Sequence, residues 1–141
     1  MEEIRRRRVG IIGAGWVSEY HLPAWAKQSA RAEIVAIADP STEAREAKSQ
    51  HFGIPRAYAT AETMLANEAL DAVDICAPRE AHVALVRLAA ARGLDIICQK
   101  PLAPDYDQAA ALVAGLPPSI RLMVHENWRF RAYYRRLKAW L

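Results

Sequence analysis

Short apolar runs alternate with longer helical patterns along this chain, and the alternation limits the possible folds more than any other feature. Strands are predicted at 8–13, 33–39, 71–77, 94–99 and 120–125, with a further short strand near Tyr58. Helices are predicted between them at 16–29, 42–52, 61–67, 80–92 and 106–114. Runs rich in Val and Ile are typical of strands that are covered on both faces. The sequence therefore predicts an α/β fold: a doubly wound parallel sheet with helices on both faces.

Local signals mark the ends of two of these helices. Ser41 is a candidate N-cap for the helix at 42–52, and Gly53 follows that helix as a candidate C-terminal glycine. Gly93 is expected to end the helix at 80–92.

The composition is that of a single ordinary globular domain. The 141 residues are 52% apolar and 25% charged. Cys76 and Cys98 lie in apolar runs without Cys-x-x-Cys or histidine-rich spacing, so neither a disulfide framework nor a metal site is predicted. No apolar stretch approaches the roughly 18 residues of a membrane-spanning helix, and no membrane partner is expected.

Basic residues cluster near both ends of the chain, although the formal net charge is only +3. Neither cluster accompanies a recognised nucleic-acid-binding module, so we expect solvated flanks and no nucleic-acid partner. The arginines at 5–8, ahead of an apolar run, also suggest a twin-arginine export signal. That run is interrupted by Gly10, Gly13 and Gly15 and passes directly into polar residues, so we expect a cytoplasmic protein.

The segment VGIIGAGWVSEYH at 9–21 places three glycines at the end of the first predicted strand. Gly13-x-Gly15-x-x-Ser18 has the spacing of the dinucleotide-binding fingerprint of Rossmann folds, with Ser in place of the usual third Gly or Ala. Gly13 permits the tight turn, and Gly15 allows the backbone to approach a pyrophosphate at the N-terminus of the following helix. A tight strand-to-helix turn without a ligand is the alternative interpretation.

Asp39 ends the second predicted strand, a little over twenty residues after the glycines. A carboxylate there accepts hydrogen bonds from the ribose hydroxyls of a bound dinucleotide. The alternative role is that of a turn residue before Pro40. Because a carboxylate repels a 2′-phosphate, Asp39 favours NAD over NADP, while Arg45 leaves NADP open.

Several further segments extend this pattern: ADPS, APREAH, GLDIICQKPLA and HENWRFRAYYRRLK. Together with the glycine segment they resemble the signatures of the glucose-fructose oxidoreductase, inositol dehydrogenase and rhizopine-catabolism (Gfo/Idh/MocA) family of NAD(P)-dependent oxidoreductases. The resemblance covers essentially the whole chain. It implies a dinucleotide-binding Rossmann domain at 1–128 and a helix at 129–141 that leads into a second, substrate-binding domain, which this chain lacks.

The resemblance also implies roles for individual residues. Lys100 is the implied catalytic residue, whose ammonium hydrogen-bonds the reacting hydroxyl and relays a proton during hydride transfer; a solvated lysine after a strand is the alternative. The family usually has Glu before this lysine, where this chain has Gln99. By resemblance, His82 helps to shape the cofactor side of the cleft rather than donating protons, and a capping or packing role near the start of its helix is the alternative. The implied cofactor-binding residues are Gly13, Gly15, Trp16, Val17, Asp39, Ala77, Pro78, His82, Gln99, Lys100 and Asn127.

Two functions fit these features. The first is the nucleotide-binding domain of an NAD(P)-dependent oxidoreductase that acts on the CH–OH group of a sugar, polyol or related small molecule. The second is a stand-alone NAD-binding module with a regulatory or assembly role and no turnover. Lys100 within QKP favours the first. Because family members take their substrate wall and part of their acid-base groups from the second domain, we expect the 141-residue chain alone to be inactive.

The C-terminal segment FRAYYRRLKAWL predicts a strongly amphipathic helix. Its apolar residues recur at intervals of three and four and share one face, and its basic residues take the other. The apolar set is Phe130, Tyr133, Tyr134, Leu137, Trp140 and Leu141. We expect a homodimer through this helix or a nearby sheet edge, with docking of the helix on the cofactor domain as the alternative.

Overall fold

Six parallel strands form one sheet in the computed structural model, which describes residues 5–140. The strands are β1 (Arg7–Ile12), β2 (Ala32–Ala38), β3 (Arg56–Tyr58), β4 (Ala72–Ile75), β5 (Asp95–Gln99) and β6 (Leu122–His125). Their order across the sheet is β3-β2-β1-β4-β5-β6, and every neighbouring pair is parallel. This topology confirms the predicted doubly wound fold. Residues 1–4 of the predicted domain at 1–128, and Leu141 of the predicted helix at 129–141, lie outside the described residues.

Helices connect the strands. They are α1 (Ser18–Ala26), α2 (Thr42–Phe52), α3 (Ala61–Asn67), α4 (Arg79–Ala90), α5 (Tyr106–Ala114) and α6 (Ala132–Trp140). The predicted bounds of α2, α3 and α5 are confirmed. Those of α1 and α4 were wrong at their ends: α1 begins two residues later than predicted, after a turn at 15–17, and ends before the turns at 27–31. The C-terminal turn at 91–93 ends α4 early, with Gly93 at φ 73°.

Local capping explains why α2 has the predicted ends. The Ser41 hydroxyl accepts a hydrogen bond from the Ala44 N–H at 3.2 Å, which satisfies one of the free donors of the first turn. Gly53 follows the helix in the left-handed region, with φ 64°. Both roles depend only on neighbouring residues, so both were visible in the sequence.

Two apolar cores cover the two faces of the sheet. Ile11 and Ile37 point to the face covered by α1 and α2, where they pack with Leu22 and Ile54. The residue after Ile11, Ile12, belongs to the opposite core, which includes residues of α3, α4 and α5. This alternation follows the pleat of the strands, in which successive side chains point to opposite faces.

The strand order reverses between β1 and β4. From β1 the chain winds outward through β2 and β3, then returns to the other side of β1 and continues through β4, β5 and β6. Connections leave β1 and β4 in opposite directions, which opens a crevice at their carboxyl ends. In open α/β sheets this crevice is where ligands bind.

A short 3-10 helix (Asn127–Phe130) precedes α6, which therefore begins three residues later than predicted. Every residue of α6 is exposed, and the apolar residues of its sequence pattern include Leu137 at 47% and Trp140 at 74% exposure. Within residues 5–140 the helix is not buried against the sheet domain, so the docked alternative is not realised there. None of the helices in this described part combines the length and the apolar character needed to cross a membrane.

Candidate functional site

Gly13 occupies a position that only glycine fits. Its φ is 101°, a conformation that side-chain-bearing residues rarely adopt. A Cβ at this position would lie 2.7 Å from the carbonyl carbon of Cys76 and 2.8 Å from the Ala77 nitrogen, both backbone atoms. The turn after β1 therefore passes directly against the end of β4, at the crevice.

The turn leaves free donors at the N-terminus of α1. The N–H groups of Gly15, Trp16 and Val17 have no acceptor within the described part of the chain. A Cβ on Gly15 would meet nothing within 4 Å, so this stretch of backbone faces open space. Free N–H groups and the positive end of a helix dipole together suit a phosphate or pyrophosphate group.

Ser18 is compatible with the fingerprint even though it replaces the usual Gly or Ala. The side chain is fully buried, and its hydroxyl donates a hydrogen bond to the Gly15 carbonyl at 2.6 Å. The polar group is thus satisfied locally, and the small side chain leaves α1 close to the sheet.

Asp39 links the glycine turn to the end of β2. Its Oδ2 accepts a hydrogen bond from the Ala14 N–H at 2.7 Å, and its Oδ1 accepts one from the Ser41 N–H at 2.8 Å. The side chain is only half-buried, and each carboxylate oxygen keeps capacity for a further donor. Asp39 can therefore hold the turn and accept ribose hydroxyls at the same time.

These residues line one cleft of about 680 Å³, a volume within the range of cofactor pockets. The cleft brings together seven predicted site residues: Gly13, Gly15, Trp16, Val17, Asp39, Ala77 and Pro78. Four predicted site residues do not line it: His82, Gln99, Lys100 and Asn127. Of these four, His82 lies in α4, Gln99 and Lys100 lie at the end of β5, and Asn127 lies just after β6.

Sequence reasoning missed the wall opposite the glycine turn. The loop between β3 and α3 contributes Ala59 and Thr60 to the cleft, and the first turn of α3 contributes Glu62. Thr60 is also the N-cap of α3, because its hydroxyl accepts a hydrogen bond from the Thr63 N–H at 3.2 Å. A Thr immediately after a predicted short strand and before a predicted helix was the available signal.

His82 is buried in α4 and connects two loops. Its Nε2 lies 2.8 Å from the Ala77 carbonyl oxygen, and its Nδ1 lies 2.7 Å from the Pro101 carbonyl oxygen. Since a carbonyl only accepts, both contacts are hydrogen bonds only when both ring nitrogens carry protons. The ring lies between the cleft loop at Ala77 and the loop that follows Lys100, and its shaping role stays a prediction.

Lys100 is exposed at the carboxyl end of β5. Within residues 5–140 its ammonium has no hydrogen-bond or ion-pair partner, whereas its backbone N–H donates to the Gln99 Oε1 at 2.7 Å. The lysine is therefore anchored through its backbone and free at its charged end. On β6 and just after it, the His125 Nδ1 and the Asn127 Oδ1 are buried and have no hydrogen-bond partner among residues 5–140.

A buried carboxylate lies behind this edge of the sheet. Asp74 of β4 is 1% exposed, and its Oδ2 accepts hydrogen bonds from the Trp25 Nε1 at 2.7 Å and from the His21 Nδ1 at 2.8 Å. The chemistry-bearing atoms of His21, Asp74 and Cys76 lie within 4.8 Å of one another. Burial, followed by the nearby Asp74 charge, raises the pKa of the Cys76 thiol, which keeps that sulfur protonated at neutral pH.

The second cysteine is equally unreactive. Burial, with a smaller contribution from Asp74, raises the pKa of Cys98 to about 12. Both cysteines are free and buried, as the sequence predicted. Neither supplies a thiolate nucleophile to the crevice at neutral pH.

Several known proteins are similar to this chain in sequence or in fold. D-apiose dehydrogenase of Paraburkholderia graminis is 43% identical over 129 residues, which cover 91% of this chain and 34% of that protein. D-xylose 1-dehydrogenase (NADP(+)) 2 of Haloferax volcanii is 40% identical over 104 residues, 73% of this chain and 31% of that protein. An oxidoreductase from Agrobacterium radiobacter, solved in complex with NAD+, L-tartaric acid and magnesium, has a TM-score of 0.89 and 35% identity, covering 96% of this chain and 40% of its own.

The chain spans about a third of the length of these curated relatives. Residues 7–118 match the profile of an oxidoreductase family that is described by its NAD-binding Rossmann fold. The chain therefore belongs to the Gfo/Idh/MocA oxidoreductase family and contains its NAD-binding Rossmann domain.

Proposed function

We propose that this chain is the cofactor-binding part of a dehydrogenase that acts on the CH–OH group of a sugar or polyol. One observation carries the proposal: the glycine turn, the free N–H groups at the start of α1 and the Asp39 carboxylate line a single cleft. The pyrophosphate fits the donors at Gly15, Trp16 and Val17, and the adenosine ribose fits Asp39. The substrate class follows the named relatives, which are D-apiose and D-xylose dehydrogenases.

NAD is the proposed cofactor rather than NADP. The Asp39 carboxylate lies where the ribose is expected, and a 2′-phosphate next to it would bring two negative charges together. Arg45 lies at the same turn, with its Nη1 3.3 Å from the Asp39 carbonyl oxygen and 3.4 Å from the Pro40 carbonyl oxygen. Because the guanidinium is engaged by these two backbone carbonyls, we expect Asp39 rather than Arg45 to determine the preference between NAD and NADP.

Lys100 is the proposed acid-base residue. The nicotinamide, when bound, supplies the acceptor for the hydride that leaves the substrate carbon. When the alcohol is oxidised, the Lys100 amine accepts the hydroxyl proton and becomes an ammonium, and in the reverse direction the ammonium donates that proton to the carbonyl oxygen. Support comes from its location at the carboxyl end of a parallel strand, beside the crevice, and from an ammonium that is not committed to another partner within the described residues.

Titration of the purified chain with NAD+ and with NADP+ by calorimetry at fixed salt tests the cofactor assignment. We expect NAD+ to bind more tightly. Asp39→Ala should weaken NAD+ binding by about 1 to 3 kcal/mol because it removes charge-assisted hydrogen bonds. Equal or tighter binding of NADP+ by the unaltered chain would overturn the assignment.

Two further variants separate charge from structure. Asp39→Ser should bring the NADP+ affinity closer to that for NAD+, because Arg45 then pairs with the 2′-phosphate without competition from the carboxylate. Combining it with Arg45→Gln should remove that gain. Glu43→Gln is the matched control, since Glu43 is an exposed carboxylate in the first turn of α2, and it should leave both affinities unchanged.

A further inference from the structure

We propose that Gln99 is a positioning residue whose side-chain amide joins the buried Asp74–His21 pair to the backbone of Lys100. The same amide holds His21 as a neutral ring with its proton on Nδ1. The inference deepens the proposed function and rests on it where Lys100 is taken as the acid-base residue. The three hydrogen bonds on which the inference depends all lie within this chain.

The orientation of the Gln99 amide is set by a backbone group. The Lys100 N–H lies 2.7 Å from the Gln99 Oε1, and a backbone N–H can only donate. The oxygen of the amide must therefore face Lys100. This leaves the amide NH₂ facing His21, with the Gln99 Nε2 at 3.2 Å from the His21 Nε2.

The amide orientation then determines the proton on His21. An amide NH₂ can only donate, so the His21 Nε2 must be an acceptor without a proton. On the other side of the ring, the Asp74 carboxylate accepts from Nδ1 at 2.8 Å, so Nδ1 carries the proton. One tautomer alone satisfies both neighbours, and His21 itself is only 8% exposed.

The rest of the surroundings is compatible with a neutral ring. The Trp25 indole N–H donates to the same Asp74 oxygen, which supplies the carboxylate with a second donor. His125 packs edge-on against His21, with ring centroids 4.6 Å apart. Burial lowers the pKa of His125, which favours the uncharged form of this neighbour.

The resulting chain of hydrogen bonds crosses three elements. It runs from Asp74 on β4 through His21 on α1 to Gln99 on β5, and it ends at the Lys100 N–H. The Lys100 ammonium has no partner within residues 5–140. The hydrogen bond of its backbone N–H to Gln99 therefore restricts the backbone position from which the Lys100 side chain extends. A glutamate at position 99 would keep the bond to Lys100 but would need a proton on the His21 Nε2.

Imidazole ¹⁵N spectra of the full chain at neutral pH test the assignment. In the unaltered protein, we expect His21 to have a protonated Nδ1 and an unprotonated Nε2. In Gln99→Glu we expect both nitrogens to be protonated, because the carboxylate can only accept. Gln50→Glu on the exposed surface of α2 is the matched control and should leave the His21 spectrum unchanged. A protonated Nε2 in the unaltered protein, or an unchanged His21 in Gln99→Glu, would overturn the proposal.

Amide hydrogen exchange tests the positioning of Lys100. Gln99→Leu removes both hydrogen bonds, and exchange at the Lys100 N–H should become faster by on the order of tenfold, the equivalent of one lost hydrogen bond. Gln99→Glu should restore slow exchange, because it retains the acceptor. Equal exchange rates in all three proteins would contradict the anchor. Failure of NAD+ to bind, with the His21 tautomer as expected, would refute the proposed function and leave this assignment standing.

Discussion

Gly13 and Gly15 are separated only by Ala14, yet their surroundings differ. Gly13 combines a left-handed backbone with backbone atoms less than 3 Å from where a Cβ would lie. Gly15 has open space at the same position and lies beside free N–H groups at the edge of the cleft. We therefore expect Gly13 to be needed for the geometry of the turn and Gly15 for the approach of a ligand.

Paired alanine substitutions separate these roles. Gly13→Ala should lower the free energy of unfolding by about 2 kcal/mol or more, because the strained φ and the contact with the Cys76 and Ala77 backbone add up. Gly15→Ala should change stability by less than about 1 kcal/mol and should weaken NAD+ binding, because a methyl group enters the space next to the pyrophosphate donors. Urea unfolding and calorimetry measure the two effects. A similar loss of stability in both variants would contradict the distinction.

At the scale of elements, the short edge strand β3 is held by an ion-pair cluster around Glu68. Its carboxylate accepts hydrogen bonds from the Arg56 guanidinium and from the Tyr58 hydroxyl at 2.6 Å, and an Arg8 nitrogen lies 3.6 Å away. Burial by itself would raise the pKa of Glu68, but the hydrogen bonds from Arg56 and Tyr58 and the charges of Arg56 and Arg8 outweigh it. The pKa therefore lies below its ordinary value of 4.5.

This lowered pKa predicts a pH dependence of stability. The cluster stabilises the folded chain fully above pH 4.5, the ordinary value, and that contribution is lost as the pH falls through the lower folded-state pKa. Glu68→Gln should cost about 1 to 2 kcal/mol at pH 7 and progressively less as the pH falls below 4.5, because the unfolded chain takes up a proton at Glu68 before the folded chain does. Urea unfolding at pH 7 and pH 3.5 checks it, with the exposed Glu46→Gln as control. An equal cost at both pH values would argue against the cluster.

Local features were predictable from the sequence, whereas contacts between distant elements were not. The ends of α2 and the strained Gly13 turn depend on neighbouring residues, and the sequence indicated both. The free N–H groups at 15–17 lie in a turn, which is why α1 begins later than its apolar pattern suggested. The bond between His21 and Asp74 joins residues 53 positions apart, and only the packing of α1 against β4 reveals it.

At the scale of the whole molecule, the cleft occupies the carboxyl edge of the sheet and presents one wall to solvent. This chain contributes the side that fits a dinucleotide, and Lys100 lies at the edge of that side. Among the described residues, Lys100 is not one of those that line the cleft itself. We therefore expect cofactor binding and turnover to be separable properties of this chain.

We predict that the purified 141-residue chain binds NAD+ without turning over sugars or polyols. General acid-base catalysis needs its groups within hydrogen-bond reach of an oriented substrate, and a single wall orients it poorly. Absorbance of the reduced nicotinamide, followed with a panel of sugars and polyols, measures turnover. Saturable reduction that disappears in Lys100→Met would contradict the prediction.

The exposed C-terminal helix supports a separate prediction about assembly. The α6 residues Tyr133, Leu137 and Trp140 are 55%, 47% and 74% exposed, while arginines cover other positions of the same helix. We expect a second copy of the chain to cover these apolar residues in a homodimer. Light scattering of the intact chain and of a version that ends at Trp128 tests this. A monomeric intact chain would contradict the dimer, and a dimer that persists after truncation would move the interface away from α6.

The central claim is that a dinucleotide occupies the crevice between β1 and β4. An NAD+ titration followed by backbone amide NMR tests it most directly, because it reports both binding and location. We predict saturable changes in the amide signals of Gly15, Trp16, Val17 and Ala77, the residues that line the cleft at the glycine turn and at the end of β4. The absence of binding, or changes confined to a surface away from these four residues, would contradict the account.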